Sequence, residues 1–167
     1  MIRKIVAIAL FLFSASAVFG QKINIDELYK IPIKTAEDCK KAEPEILKAA
    51  NYVLSKPLDD NDGVMAGAFI LLWATGSEHT FTFDGNISNL SKHKKNTMLL
   101  CVYLAACAKY ILENPDKEKD TKAVTLYTYN SLATYIGNAA NRVKKTKHTK
   151  KLIAAKTNNT MAKYCGY

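Results

Sequence analysis

The sequence predicts an all-α domain of about five helices, and the distribution of its apolar residues is the reason. Residues 98–108 and 64–74 are each a run of eleven apolar residues without a charge. A helix that is apolar on every side must be surrounded by protein, so each run predicts a buried helix. Neither run spans a bilayer, which needs about 20 residues. Elsewhere apolar residues recur at spacings of three and four, the period of amphipathic helices.

Residues 1–20 have the pattern of a secretory signal peptide. A basic start, an apolar run over residues 5–13 and a small-residue segment over 14–20 follow one another. The alternative, an N-terminal membrane anchor, is disfavoured because the apolar run is short. We expect cleavage after Gly20 rather than after Ala17. No cysteine follows either position, so a lipoprotein anchor is not expected.

Residues 21–167 are then the mature protein, a single helical domain without a transmembrane segment. About 147 residues suffice for one domain with a proper core. Loss of Arg3 and Lys4 lowers the formal net charge from +9 to +7. This basic balance favours contact with anionic surfaces.

Four cysteines lie in the mature part: Cys39, Cys101, Cys107 and Cys165. An exported protein carries them into an oxidising compartment, where three full pairings are open. Cys101 and Cys107 lie about 240° apart around a helix, which disfavours a bond between them. A Cys39–Cys165 bond would tie the last helix to the first. No cysteine or histidine spacing indicates a zinc site, and we expect no cofactor.

The first helix is expected to begin after Thr35, because Asp38 follows three residues later as in a capping box. Pro44 predicts either a kink or the start of a new helix, and Pro57 ends the pattern. In the second helix Gly67 would let a neighbouring helix approach closely, so we expect the two apolar runs to pack together.

The connection over residues 77–94 predicts a loop with at most a short extended piece at 80–83. A fourth helix is expected from Asp120 or Thr121 to about Lys145. A basic segment at residues 142–151, here called the basic link, leads to a last helix. Residues 52–62 and 110–120 share a pattern of Tyr, Leu, Pro and Asp at an offset of 58. Two folds therefore stay open: a compact bundle, or two tetratricopeptide-like helical hairpins with a C-terminal helix.

A polar stripe along the fourth helix is the first candidate binding surface. It has hydroxyl and amide groups but few charges, a composition that suits hydrogen bonding to a glycan or a peptide. The alternative is an ordinary solvent face. The stripe consists of Tyr127, Ser131, Thr134, Asn138 and Asn141.

The basic link is the second candidate, because a cluster of cations binds anionic polymers. It lacks the interleaved aromatic residues of a single-strand binder, and an exported protein seldom meets nucleic acid, so nucleic acid is not the expected partner. Cations at the end of the fourth helix would also stabilise that helix, which is the structural alternative. The link contains Arg142, Lys144, Lys145, Lys147, Lys150 and Lys151, with Lys92, Lys94 and Lys95 elsewhere in the chain.

The connection at residues 76–85 offers an alternative function, a hydrolase or a metal-assisted enzyme. Glu78, His79 and Asp84 could act as acid and base, or bind a metal together with His93. The spacing matches no known motif, so a solvated loop is the simpler interpretation and no catalytic or metal-binding residue is assigned. Trp73 is expected to be a core residue.

The run FILLWATGSEHTFTFD at residues 69–84, followed by Tyr103, Ala106 and Tyr110, resembles an uncharacterised family of small helical envelope proteins of Bacteroidota-type bacteria. The resemblance implies an exported helical protein and assigns no activity or functional residue. We therefore expect a non-catalytic protein, secreted or periplasmic, that binds an envelope protein, a glycan or an anionic polymer.

Overall fold

A computed structural model describes residues 22–167, and this part of the chain is all-helical, with no β-strand. The predicted signal peptide at 1–20 lies outside the described residues. Within 22–167, no helix is both long enough and apolar enough to cross a bilayer. The described part of the chain contains eight α-helices: α1 (Ile25–Leu28), α2 (Ala36–Ser55), α3 (Asn61–Gly76), α4 (Gly85–Ser91), α5 (Leu99–Glu113), α6 (Thr121–Gly137), α7 (Lys147–Thr157) and α8 (Met161–Tyr164).

The structure has eight helices rather than the expected five for three reasons: α1 was not predicted, α4 lies in the connection predicted as a loop, and the predicted last helix is divided into α7 and α8. The long helices α2, α3, α5, α6 and α7 lie in the regions where helices were predicted. The additional helices α1, α4 and α8 have four to seven residues each, which is too short for a clear periodic pattern.

The central helix is α5, as its apolar run predicts. Every residue from Cys101 to Ala108 is buried. The helix contacts α2, α3, α4 and α6, so protein surrounds it on all sides. The buried position of α5 therefore explains why its sequence is apolar on every side.

The approach of α3 to α5 depends on Gly67. A Cβ atom built at Gly67 would lie 2.7 Å from the Cβ of Cys101, closer than two such atoms can come. The expected packing of the two apolar runs is confirmed, and the absence of a side chain at Gly67 makes the contact possible.

The start and course of α2 follow from its sequence. The Thr35 hydroxyl accepts a hydrogen bond from the Asp38 N–H, and the Asp38 carboxylate accepts one from the Thr35 N–H, both at 3.1 Å. This is the predicted capping box. The helix passes through Pro44 to Ser55 without interruption, so Pro44 does not begin a new helix. Trp73 of α3 is fully buried and donates its indole N–H to the Cys39 carbonyl at 3.0 Å, which confirms its core role.

The predicted end of the fourth helix at Lys145 is wrong, because α6 ends at Gly137. Asn138 then accepts a hydrogen bond from the Ala140 N–H at 3.0 Å and caps a 3₁₀ turn, Ala139–Asn141. Arg142 follows in the left-handed region with φ 55°. Glycine and asparagine are unfavourable inside helices and common at helix caps, which explains why α6 ends at Gly137.

Candidate functional site

The polar stripe does not lie on one helix, because α6 ends before its last two residues. Because Asn138 and Asn141 lie beyond Gly137, they are not on the helix, and the expectation of one continuous helical face is wrong. Four of the five stripe residues nevertheless line one open depression of about 280 Å³, here called the stripe depression. They are Ser131, Thr134, Asn138 and Asn141, beside Leu54 and Tyr135.

Two stripe residues have structural roles. Asn141 is only 5% exposed, and its amide N–H donates to the Tyr135 carbonyl at 2.9 Å. Tyr127 lies outside the depression and packs its ring against that of Tyr110, with centroids 4.8 Å apart. The Thr134 hydroxyl donates to the Asn130 carbonyl and accepts from the Lys156 ammonium, so Ser131 and Asn138 remain as the polar groups that a ligand in the stripe depression can reach.

The basic link is only partly free for binding. The Arg142 guanidinium pairs with the Asp59 carboxylate at 2.5 Å, and the Lys145 ammonium donates to the Ile136 carbonyl near the end of α6. The Lys145 contact places a cation at the C-terminal end of α6, where it stabilises the helix dipole. Lys144 and Lys147 have exposed side chains, and neither pairs with a carboxylate within the described residues.

Asn96 joins two basic segments that are far apart in sequence. Its side-chain N–H donates to the Lys144 carbonyl, and its side-chain oxygen accepts from the Lys144 N–H, both at 3.0 Å. Asn96 is fully buried, so these two hydrogen bonds replace contacts with water. The pairing places residues 92–97 beside the link. Lys94 and Lys95 therefore belong to the same surface as Arg142.

A larger depression of about 640 Å³ lies at this junction, here called the basic depression. Its floor has the apolar residues Leu58, Val64 and Met98. Its polar lining consists of Lys94, Lys95, Arg142, Asp59 and Thr97. Asp59 is the one carboxylate among these lining residues, and Arg142 already pairs with it.

The distribution of charge along the chain strengthens this surface. Residues 121–167 contain no Asp or Glu and nine basic residues, and residues 85–112 also lack acidic residues. Lys94, Lys95 and Arg142 of the basic depression come from these two acid-free segments, whereas Leu58, Asp59 and Val64 come from a segment with three aspartates. This signal was readable in the sequence, but only when acids are counted segment by segment.

The alternative catalytic group is not assembled. His79 lies between two carboxylates, with its Nδ1 at 3.1 Å from Glu118 and its Nε2 at 3.3 Å from Glu43. Asp84 caps α4 and accepts a hydrogen bond from the Tyr129 hydroxyl. Glu78 is exposed, and none of these three loop residues bonds to another. Within residues 22–167, no His, Cys, Asp and Glu side chains form a group of three or more that could hold a metal ion.

The four cysteines are free thiols, so the Cys39–Cys165 bond is absent. Burial raises the pKa of Cys107 to about 11, and burial together with the Asp84 charge raises that of Cys165 to about 11. Thiols with raised pKa values are poor nucleophiles at neutral pH. Nothing in their surroundings activates them.

No protein-family model, no curated protein and no solved structure matches this chain. The functional argument therefore depends on the geometry described above.

Proposed function

We propose that this is an exported, non-catalytic binding protein of the cell envelope and that its partner is an anionic glycan or a similar anionic polymer. The observation that carries the proposal is the Asn96–Lys144 pairing, which brings two lysine-rich segments together around the basic depression. The export part of this proposal is based on the signal-peptide pattern of residues 1–20. The resemblance to helical envelope proteins of Bacteroidota-type bacteria supports the same location.

The chemistry of the surface favours a negatively charged ligand. Lys94 and Lys95 are exposed and form no ion pair within residues 22–167. Their ammonium groups are free to meet sulfate, phosphate or carboxylate groups. The apolar floor of the basic depression suits the hydrocarbon face of a sugar ring or another apolar part of the ligand.

The stripe depression supports a glycan rather than a simple anion. Asn141 lines the stripe depression and the next residue, Arg142, lines the basic depression, so the two are adjacent. In the proposed complex, a sugar polymer with its anionic groups near Lys94 and Lys95 would bond Ser131 and Asn138 through its hydroxyl groups. Hydroxyl and amide side chains bond such groups directly.

The tetratricopeptide-like interpretation remains a proposal about the scaffold. The consecutive pairs α2–α3 and α5–α6 pack together, and Asn51 accepts a hydrogen bond from Lys109, its counterpart at the offset of 58 residues. These contacts support a duplicated hairpin. The binding proposal is the same for a compact bundle.

The test compares two double substitutions that remove the same charge. Lys94→Gln/Lys95→Gln removes two cations from the basic depression, whereas Lys34→Gln/Lys40→Gln removes two exposed, unpaired cations elsewhere. Heparin is the anionic probe and dextran the neutral one, with titration calorimetry between about 50 and 200 mM salt.

We expect heparin affinity to fall steeply with salt and to drop about tenfold further in the Lys94/Lys95 variant, a loss of about 1.4 kcal/mol. Dextran should not show this salt dependence. Salt-insensitive heparin binding, or equal losses in both variants, would contradict the proposal.

A further inference from the structure

Residues 78–83 form a strand-like segment in an otherwise helical protein. From Glu78 to Thr82 exposed and partly buried side chains alternate, which is the period of a β-strand, whereas Phe83 is 50% exposed. The rings of His79 and Phe81 pack on Trp73 at centroid distances of 5.4 and 5.7 Å, and Phe83 packs near Tyr103 at 5.9 Å. The outward residues, Glu78, Thr80 and Thr82, are exposed.

The backbone of this segment is almost entirely unpaired. The Thr82 carbonyl accepts a hydrogen bond from the Tyr103 hydroxyl at 2.6 Å. No other backbone N–H or C=O group of residues 78–83 has a hydrogen-bond partner within the described chain. An unpaired strand edge is a template for pairing with another extended chain.

A cleft of about 280 Å³ runs along the segment. Tyr103, Cys107 and Ile111 of α5 form part of its lining, and Val124 and Thr125 of α6 form another part. The N–H and C=O of one strand residue point to the same edge, and alternate residues share that edge. Because the Thr82 carbonyl meets Tyr103, a cleft residue, this edge presents to the cleft the free N–H and C=O of Thr80 and the free N–H of Thr82.

We propose that this cleft binds an extended polypeptide segment by β-strand addition. The main chain of the ligand pairs with Thr80 and Thr82, and an apolar side chain of the ligand rests on Ile111 and Val124. Main-chain hydrogen bonds then give affinity, and the apolar contact gives selectivity. This site is separate from the basic depression and does not depend on the glycan proposal.

Contacts at both ends fix the position of residues 78–83. His79 contacts Glu43 of α2 and also Glu118, which follows the 3₁₀ turn Pro115–Lys117. Asp84 fixes the other end by capping α4 and bonding to Tyr129. A binding edge that is already ordered loses little conformational freedom on association.

The first experiment uses two synthetic peptides with the unaltered protein. The probe is the blocked pentapeptide acetyl-Lys-Thr-Val-Thr-Lys-amide, and its control is the same peptide with the three central amide nitrogens methylated. We expect the probe to shift the NMR signals of residues 78–83 and to slow hydrogen exchange at the Thr80 and Thr82 amides at least tenfold at saturation. The methylated peptide should bind at least tenfold more weakly. Equal binding of both peptides, or shifts confined to other residues, would overturn the proposal.

The second experiment separates the backbone N–H from the side chain at one position. Thr80→Ala and Thr80→Pro both remove the exposed hydroxyl, but only proline removes the N–H donor. We expect the alanine variant to bind the probe as the unaltered protein does and the proline variant to lose at least tenfold in affinity. Equal affinities in folded variants would contradict main-chain pairing at Thr80. If the proline variant unfolds, the comparison of the two peptides decides the question.

Discussion

Substitution of Gly67 by alanine should destabilise the protein, although alanine is the better helix former. The added Cβ would lie 2.7 Å from the Cβ of Cys101. That Cβ is fixed to the backbone of α5 and cannot rotate away, so the two helices must separate. The perturbation therefore acts on the closest contact between the two apolar helices of the core.

The expected magnitude is the difference between two opposing effects. Overpacking in a core costs about 1–3 kcal/mol, whereas replacing glycine by alanine inside a helix gains about 0.8–1.0 kcal/mol. The difference of these ranges is about 0–2 kcal/mol, and because rotation cannot relieve the 2.7 Å contact we expect a net loss in the upper half, about 1–2 kcal/mol in the free energy of unfolding. At about 2–4 °C per kcal/mol, the melting temperature should fall by about 2–8 °C. Thermal and urea unfolding followed by circular dichroism measure both quantities.

Gly137→Ala is the matched control, because a Cβ at Gly137 meets no atom within 4 Å. It should leave stability unchanged or raise it by up to about 1 kcal/mol. The double variant Gly67→Ala/Cys101→Gly exchanges the two sides of the contact, so its loss should be smaller than the sum of the single losses by about 0.5 kcal/mol or more. A Gly67→Ala variant as stable as the unaltered protein, or strictly additive losses, would refute the steric argument.

Three further predictions concern other contacts of the described chain. Asn96→Ala should cost about 2–3 kcal/mol in urea unfolding, because it leaves the Lys144 backbone groups without their partners, and it should also weaken heparin binding. The control Asn89→Ala, at an exposed position, should do neither. Equal stability of the two variants would contradict the role of Asn96 in joining the two segments. His79→Ala should cost about 1–2 kcal/mol in thermal unfolding through the loss of the contacts of the ring with Glu43, Glu118 and Trp73, and an unchanged melting temperature would argue against a role of His79 in fixing residues 78–83. Stability should fall as pH rises from about 9 to about 11, because the thiols of Cys107 and Cys165 ionise first in the unfolded chain and each has its pKa raised to about 11 in the folded protein. Cys165→Ala should flatten this decline over the same range, and an identical pH profile would contradict the assignment.

The sequence predicts the parts of this fold that depend on local pattern. The two apolar runs become α3 and α5, and the Thr35–Asp38 pair caps α2 because a capping box needs only four consecutive residues. The same local logic misplaced the end of α6, since apolar spacing continues to Val143 although Gly137 and Asn138 stop the helix. The periodic signal extended further than the helix does.

The candidate site was less predictable, because its key contacts join distant positions. Asn96 and Lys144 are 48 residues apart, and no local pattern announces that one will bond the backbone of the other. His79 likewise meets Glu43 and Glu118 across 36 and 39 residues. The exposed lysines and the polar stripe were visible in the sequence, but their arrangement around two adjacent depressions requires the fold.

The confinement of acidic residues to one part of the chain has a consequence for how the molecule moves near a surface. All 15 Asp and Glu residues precede Thr121, so the last 47 residues carry a formal charge of +9 by themselves. The surface that these residues form is positively charged, and it turns the molecule in the potential of an anionic surface before any contact forms. At physiological ionic strength this alignment operates only within about 8 Å, so the protein would arrive by diffusion and rotate at the last moment. Dilute salt would lengthen that range, and the rate of attachment would rise with it.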